Sequence, residues 1–506
     1  MASVAERRAL GALVFVVGAA SLGSEIAAAR LLAPYFGAST IVWANTIGVV
    51  LVALSIGYWL GGRYADRHPH RRGLCLLVLV AALLIAVVPF AARPFLRFSV
   101  EAFDTVSVGG FAGSLLGVLI LIAVPVTLLG AASPWAARLA VRDVDGAGEV
   151  VGRLYAISTA GSLFGTMSAA LLLIPWLGTQ RTFLVFALAL ALVGAAGLGW
   201  RFGAAPVAVG LALLLPVGTI KASDTGTVLY EAETEHQYAR VVERDDGTRV
   251  LELNEGQAVH SIYRRGEYLT GDYWDEALVL WGASTPRPPR RIAILGNAGG
   301  TVARAYGHFF PRATVDAVEI DGELTELGRR FLGLRNRRME VFTEDARPWL
   351  QRSDEDFDAI FVDAYRQPYI PFYLTTREFF QLCHDRLTPG GVVVVNVGHP
   401  EGSDELERIL GRTMEEAFPV VLRFPTEPTN TQLVGGEHVS VEHLEHLASA
   451  AAGPKGLLPP TLRPLARETA AQGAPRLPGG EVFSDDHAPV EWLVDESLLE
   501  YAADEG

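Results

Sequence analysis

The stretch AILGNAGGTVARAYGHFFPRATVDAVEID, residues 293–321, decides the fold of the C-terminal half. It begins in a fully apolar strand, RIAIL (291–295), turns through Gly296, Asn297, Ala298, Gly299 and Gly300, and continues as TVARAYGHFF in a helical pattern. Glycines after a strand let the backbone approach a nucleotide closely, although strand-to-helix turns also use them for geometry alone. The next strand, VDAVEI, ends in Glu319 and Asp321, and Glu319 lies 23 residues beyond Gly296. A carboxylate about 20 residues past such a loop is placed to accept both ribose hydroxyls, so the pair of features points to a nucleoside site.

Two further strand ends follow the same plan. MEVFT leads into Glu344 and Asp345, where a carboxylate would accept an adenine amino group, and FDAIFVDAY carries Asp363. TPGGVVVVNV then supplies another apolar strand after a Pro-Gly-Gly turn. Strands alternating with helical patterns predict a parallel, helix-covered sheet, and open sheets of this kind bind ligands at the carboxyl ends of their strands. Upstream, residues 227–253 alternate apolar and polar side chains around the turn RDDGTR, which reads as a β-hairpin module ahead of the Pro-rich linker WGASTPRPPRR.

The first 220 residues are of another kind. Apolar runs near 10–33, 41–62, 73–91, 111–133, 154–176 and 182–200 have the length of about 18 residues or more that crossing roughly 30 Å of hydrocarbon requires, and a shorter run lies at 203–219. Arg7, Arg8, Arg63, Arg67, Arg71, Arg72, Arg138, Arg142 and Arg153 fall in loops on one side, which the positive-inside rule assigns to the cytoplasm. Glu25 and Arg30 interrupt the first run and are candidates for a buried pair or a polar path; Gly161 and Gly165 are spaced for close helix packing. The predicted architecture is therefore a multi-pass α-helical membrane domain of six or seven spans (1–220), a β-hairpin module (221–280) and a Rossmann-like α/β domain (281–506).

Cys75 and Cys383 are the only cysteines, too few for a disulfide framework or a cysteine metal site. The net charge of -14 lies mostly in the C-terminal half; it argues against nucleic-acid binding and suits a cationic substrate.

In their order and spacing, LGNAGG, VEID, EDA and FVDAY resemble the nucleotide site of the spermidine synthases, the polyamine aminopropyltransferases, which share the sheet of S-adenosylmethionine-dependent methyltransferases. YEAETEHQYARVVE, LNEGQAVHS and LTGDYWDEALVL are similar to that family's β-hairpin module and gate, and SEIAAARLLAPYFGAS through IGYWLGGRYADR looks like the membrane domain of its fused members. The resemblance implies transfer of an aminopropyl group from decarboxylated S-adenosylmethionine, a co-substrate rather than a prosthetic group, to a diamine such as putrescine. Gln237 and Glu319 would bind the nucleoside, Asp345 and Ala346 would lie at its adenine, Gly296 would back the loop, Tyr273 would line the diamine channel and Asp363 would be the base. No metal is implied. A lipid bilayer and a homo-oligomer are the expected partners, and cofactor supply places the catalytic domain in the cytoplasm.

Three positions depart from the family pattern. Ala298 stands where the loop usually has a carboxylate, Arg366 where a second carboxylate usually follows Asp363, and Trp274 where His or Gln usually follows the channel tyrosine. Near the C-terminus, FSDDHAPVEWL places Asp485, Asp486 and Glu491 beside His487, either as a replacement cation site or as the cap of a helix. Two alternative functions remain open on these residues: methyl transfer from intact S-adenosylmethionine, and a transporter whose C-terminal half senses a nucleoside or polyamine.

Overall fold

The computed structural model describes residues 4–36, 40–104, 109–141, 146–215, 226–234, 236–253, 258–284, 287–365, 369–449, 457–494 and 496–497. The chain divides into two compact units, Met1–Lys221 and Ala222–Gly506.

The first unit is built from the helices α1 (Val4–Phe36), α2 (Thr40–Arg67), α3 (Arg71–Asp104), α4 (Gly109–Leu121), α5 (Ala123–Ala140), α6 (Ala147–Ser168), α7 (Ile174–Leu198) and α8 (Ala204–Ala212). Its core is apolar, and so is much of its outside: Leu51, Val52, Leu163, Phe164 and Leu171 are all exposed. Gly161 and Gly165 let α6 lie directly on α1, because a Cβ at either would strike the carbonyl oxygen of Phe15 or Ala19. Glu25 and Arg30 both lie in α1, partly buried.

Among the described residues, four helical segments are long and apolar enough to cross a membrane: Glu6–Leu32, Val42–Arg67, Arg71–Ala92 and Ala147–Leu198. A fifth arises if Ser114–Leu121 and Ala123–Ala140, bent by 52°, are taken together. The runs expected at 154–176 and 182–200 thus belong to one helical run of 52 residues, interrupted at Gly178 (φ 80°, ψ 169°). The described part of the run expected at 203–219, residues 203–215, holds the nine-residue α8, too short for about 30 Å of hydrocarbon; residues 216–219 lie outside the described residues. An ion pair of 3.0 Å between Arg138 and Asp66 joins the ends of α5 and α2, so the arginines clustered there share one end of the bundle.

The second unit opens with an antiparallel sheet, β1 (Thr227–Glu233), β2 (Tyr238–Glu243), β3 (Arg249–Leu253) and β4 (Ala258–Tyr263), paired in chain order. The predicted turn closes β2 on β3, with Gly247 at φ 80° and the Thr248 N–H donating to Asp246 at 2.8 Å.

A larger sheet follows. Along the chain it runs β5 (Arg291–Leu295), α9 (Thr301–Phe309), β6 (Thr314–Val318), α10 (Gly322–Phe331), β7 (Met339–Phe342), α11 (Ala346–Arg352), β8 (Phe357–Val362), α12 (Arg377–Asp385), β9 (Leu387–Gly398), α13 (Glu405–Met414), β10 (Val420–Glu427), β11 (Asn430–Gly436), α14 (Val441–Ala448), α15 (Arg463–Gln472) and β12 (Ala474–Pro475). In space the order is β12-β10-β11-β9-β8-β5-β6-β7. The five strands from β9 to β7 are parallel, and β11, β10 and β12 extend that edge antiparallel. Apolar runs such as RIAIL and VVVV suit strands covered on both faces. This is a Rossmann-like, methyltransferase-type fold with a mixed sheet. Strand order reverses between β5 and β8, which opens a crevice at their carboxyl ends, where Gly296 and Asp363 follow the two strands.

Candidate active site

The loop after β5 is fixed by its own backbone. The N–H groups of Gly296 and Asn297 both donate to the Val318 carbonyl, at 2.9 and 3.1 Å. Gly296 has φ 93°, and a Cβ there would strike the carbonyl oxygen of Asp363, so only glycine fits between β5 and the end of β8. Ala298 also has a positive φ, 44°, a left-handed conformation costing a non-glycine residue about 1–2 kcal/mol. Its N–H donates to Glu319 Oε2 at 2.7 Å, and the Gly299 N–H donates to the Ser261 hydroxyl at 2.9 Å, so β4 and the end of β6 hold the strained loop from both sides.

Beside this loop is a small cavity of about 80 Å³, lined by Gln237, Gly296, Glu319, Asp345, Ala346 and Asp363 among others. Five of these come from different connections: β1–β2, β5–α9, β6–α10, β7–α11 and the end of β8. Glu319 is buried and accepts the Asp321 N–H at 3.0 Å as well as that of Ala298, which leaves lone pairs on both oxygens for a diol. Burial pushes its carboxyl up to about 7, and hydrogen bonds from the backbone of Asp321, Ala298 and Ile320 oppose that rise. Asp345 caps α11 through the Arg347 N–H at 3.1 Å and accepts the Tyr373 hydroxyl at 2.6 Å. Asp321 serves structure instead: it caps α10 and accepts the Thr234 hydroxyl at 2.5 Å, tying the β1–β2 turn that carries Gln237 to the main sheet.

A second cavity, of about 570 Å³, also reaches Asp363 and is lined by Tyr273, Trp274, Asn297, Asn396 and Glu427 among others. The two cavities share Gly296, Ala298 and Asp363. Asp363 Oδ1 accepts the Asn396 amide at 2.8 Å, and Oδ2 accepts the Tyr273 hydroxyl at 3.4 Å. Asn396 is itself oriented, because its Oδ1 accepts the amides of Asn430 (3.0 Å) and Gln432 (2.9 Å), which leaves its NH2 to face Asp363. Desolvation pushes the Asp363 carboxyl up to about 6, while hydrogen bonds from Asn396, Trp274 and Tyr273 pull it back. A carboxylate so placed is ionised near neutral pH and has a pKa close to the operating pH, as a general base requires.

Residues 272–437 match the family model for the spermine/spermidine synthase domain. The chain is spermidine synthase-like. A Bifidobacterium longum protein described as a probable polyamine aminopropyl transferase is 33% identical over 190 residues, 37% of this chain and 42% of that protein. The chain thus matches less than half the length of that relative. A polyamine aminopropyltransferase of Ralstonia nicotianae is 26% identical over 442 residues, 80% of this chain and 81% of its own; 80% of the chain is more than the second unit holds, so the match reaches into the helical unit. Among solved structures, the spermidine synthase of Thermotoga maritima covers 54% of this chain and 84% of its own, at 18% identity and a TM-score of 0.36.

Gln237, Gly296, Glu319, Asp345 and Ala346 of this spermidine synthase-like chain come together at the small cavity, and Tyr273 lies with Asp363 at the larger one. Asp485 and Asp486 line neither. Asp485 forms a two-pronged ion pair with Arg347, both contacts at 2.7 Å, and accepts the Thr376 hydroxyl at 2.7 Å; Asp486 is exposed. The replacement cation site expected there is corrected on this ground: Arg347 already neutralises Asp485 and holds its carboxyl below the usual range. Arg366 lies outside the described residues. The sequence reading passed over Asn396, Glu427 and Tyr373. Of these only Asn396 carried a local signal, as the one polar side chain in VVVVNV.

Proposed function

We propose that the second unit transfers an aminopropyl group from decarboxylated S-adenosylmethionine to a diamine such as putrescine. The observation that carries this reading is the position of Asp363, one carboxylate shared by a small cavity lined by Gln237, Glu319, Asp345 and Ala346 and a larger one lined by the carboxylates Asp272 and Glu427. Glu319 and Gln237 would bind the nucleoside, with its adenine toward Asp345 and Ala346. An alkylammonium of pKa about 10 is no nucleophile until deprotonated. Asp363 attracts the cation and accepts its proton; the freed amine forms a bond to the sulfonium-bound carbon of the aminopropyl chain, the C–S bond breaks, and its electron pair returns to sulfur as neutral methylthioadenosine. Holding the two partners on either side of Asp363 supplies the proximity that such a displacement rewards.

Methyl transfer from intact S-adenosylmethionine is a second reading, favoured by Ala298, which removes the loop carboxylate that would meet an aminopropyl ammonium. Titration calorimetry of the full chain in detergent with each nucleoside, followed by product analysis with putrescine, separates the two. The expected result is tighter binding of the decarboxylated form with spermidine as product. A methylated amine would establish the second reading, and failure to bind either nucleoside would overturn both.

We further propose that the first unit crosses the cell membrane six times, with Gly178 turning the chain between two crossings in 147–198 and α4 with α5 forming one bent crossing. Six crossings put both termini on one side, and the arginines at the α2–α3 and α5–α6 connections make that side the cytoplasm. Protease added to intact cells should leave the second unit uncut, whereas inverted vesicles should lose it; the reverse pattern would refute the topology.

A further inference from the structure

The aminopropyl-transfer reading leaves the far end of the acceptor unassigned, because the acidic pair at Asp485 and Asp486 lies elsewhere. Among the described residues, two carboxylates other than Asp363 line the larger cavity, Asp272 and Glu427, and they differ in their surroundings. Asp272 is raised by burial and by the charge of Asp275, and Arg264 and Arg244, which also line the cavity, oppose that rise. Arg264 is held there by bonds to the Thr270 carbonyl at 2.8 Å and the Thr248 hydroxyl at 3.3 Å. Glu427 is influenced by burial, by the Tyr273 amide and by the nearby negative charge of Asp272, with no cation among these. Both carboxyls are raised above their ordinary values, chiefly by burial, so ionised Glu427 would gain from a positive partner.

Tyr273 fixes the spacing. Its N–H donates to Glu427 Oε1 at 2.8 Å and its hydroxyl to Asp363 Oδ2 at 3.4 Å, so the two carboxylates sit at opposite ends of one tyrosine, a separation comparable to a short alkyl chain. Asn297, on the lining of the same cavity, is 5% exposed, and neither its amide nitrogen nor its amide oxygen has a hydrogen-bond partner among the described residues. A buried amide left unsatisfied on both atoms is costly.

We infer that Glu427 receives the distal ammonium of the acceptor while Asp363 takes the proton of the reacting amine, so that Glu427 selects diamines over monoamines; this rests on the aminopropyl-transfer reading above. The Tyr273 N–H can still donate to the Oε1 of a glutamine, so Glu427→Gln removes the charge and keeps the bond that positions the side chain. The test measures initial rates of the full chain in detergent with putrescine and with propylamine, which lacks a second nitrogen. Methylthioadenosine affinity reports on folding. Wild type should prefer putrescine, and E427Q should raise the KM for putrescine about 10- to 100-fold, the range for losing one hydrogen bond to a charged group. The KM for propylamine and the methylthioadenosine affinity should stay unchanged. Asp272→Asn, whose charge the two arginines already counter, should have the smaller effect. An equal change for both amines, or none for either, would overturn the role of Glu427 while leaving aminopropyl transfer intact. Transfer by wild type to neither amine would overturn both.

Discussion

Asp363→Asn should lower kcat for aminopropyl transfer by about 10²- to 10⁴-fold, the contribution typical of a positioned general base. Asparagine fills the same volume but cannot accept a proton. It also returns an amide to Asn396, whose oxygen is already committed to Asn430 and Gln432, so the variant cannot recover the original pairing without turning its own carbonyl toward that NH2. Nucleoside affinity should be unchanged, since Glu319 and Asp345 are untouched. The pH profile gives a second readout. The wild-type carboxyl is raised to about 6, so its base form fills as pH rises through that value, and kcat/KM should climb over the same interval. The variant should lack that limb and gain activity only as the pH approaches the amine's own value of about 10, where the nucleophile loses its proton unaided. A D363N enzyme within about threefold of wild type at pH 7 would rule out base catalysis by this residue.

What could be read in the sequence follows from how each residue reaches the site. Glu319 and Asp363 directly follow short apolar parallel strands, and the geometry of such a sheet sends the next residue into the crevice; a strand boundary was enough to find them. Glu427 arrives differently. It lies where β10 turns into β11, on the antiparallel extension of the sheet, and no local pattern says that this hairpin folds back on Tyr273. Asp485 is ambiguous in sequence for the converse reason: its partner Arg347 is 138 residues away, and an acidic cluster looks the same in sequence whether it is free or paired. In the helical unit the apolar runs were legible as runs. The joining of two of them into one helical stretch was not, although Pro175 and Gly178 mark the place where it is interrupted.

Glu319→Gln should weaken methylthioadenosine binding about 100-fold at pH 8 and remove its pH dependence. Ribose hydroxyls donate, and a carboxylate already holding the Ala298 and Asp321 N–H groups still offers a lone pair on each oxygen to receive them. A glutamine offers one oxygen for the same four donors and points an NH2 at groups that are themselves donors; losing about 1.5–3 kcal/mol per charge-assisted bond accounts for the magnitude. The sign of the pH effect comes from the raised carboxyl. Because Glu319 titrates at about 7 in the folded protein against an ordinary 4.5, the ionised form that accepts two hydroxyls becomes dominant only as pH rises through about 7, and wild-type affinity should increase over that interval and then level off. Linkage requires a matching change in the unliganded protein. Between about 4.5 and about 7 the folded state binds more protons at this site than the unfolded chain, so the contribution of Glu319 to stability falls as pH rises across that window. E319Q should lack that component of the slope in denaturant unfolding. Titrations at pH 6, 7 and 8 would decide the matter: wild-type affinity that is flat with pH, or E319Q that binds as tightly as wild type at pH 8, would place the ribose somewhere other than at this carboxylate.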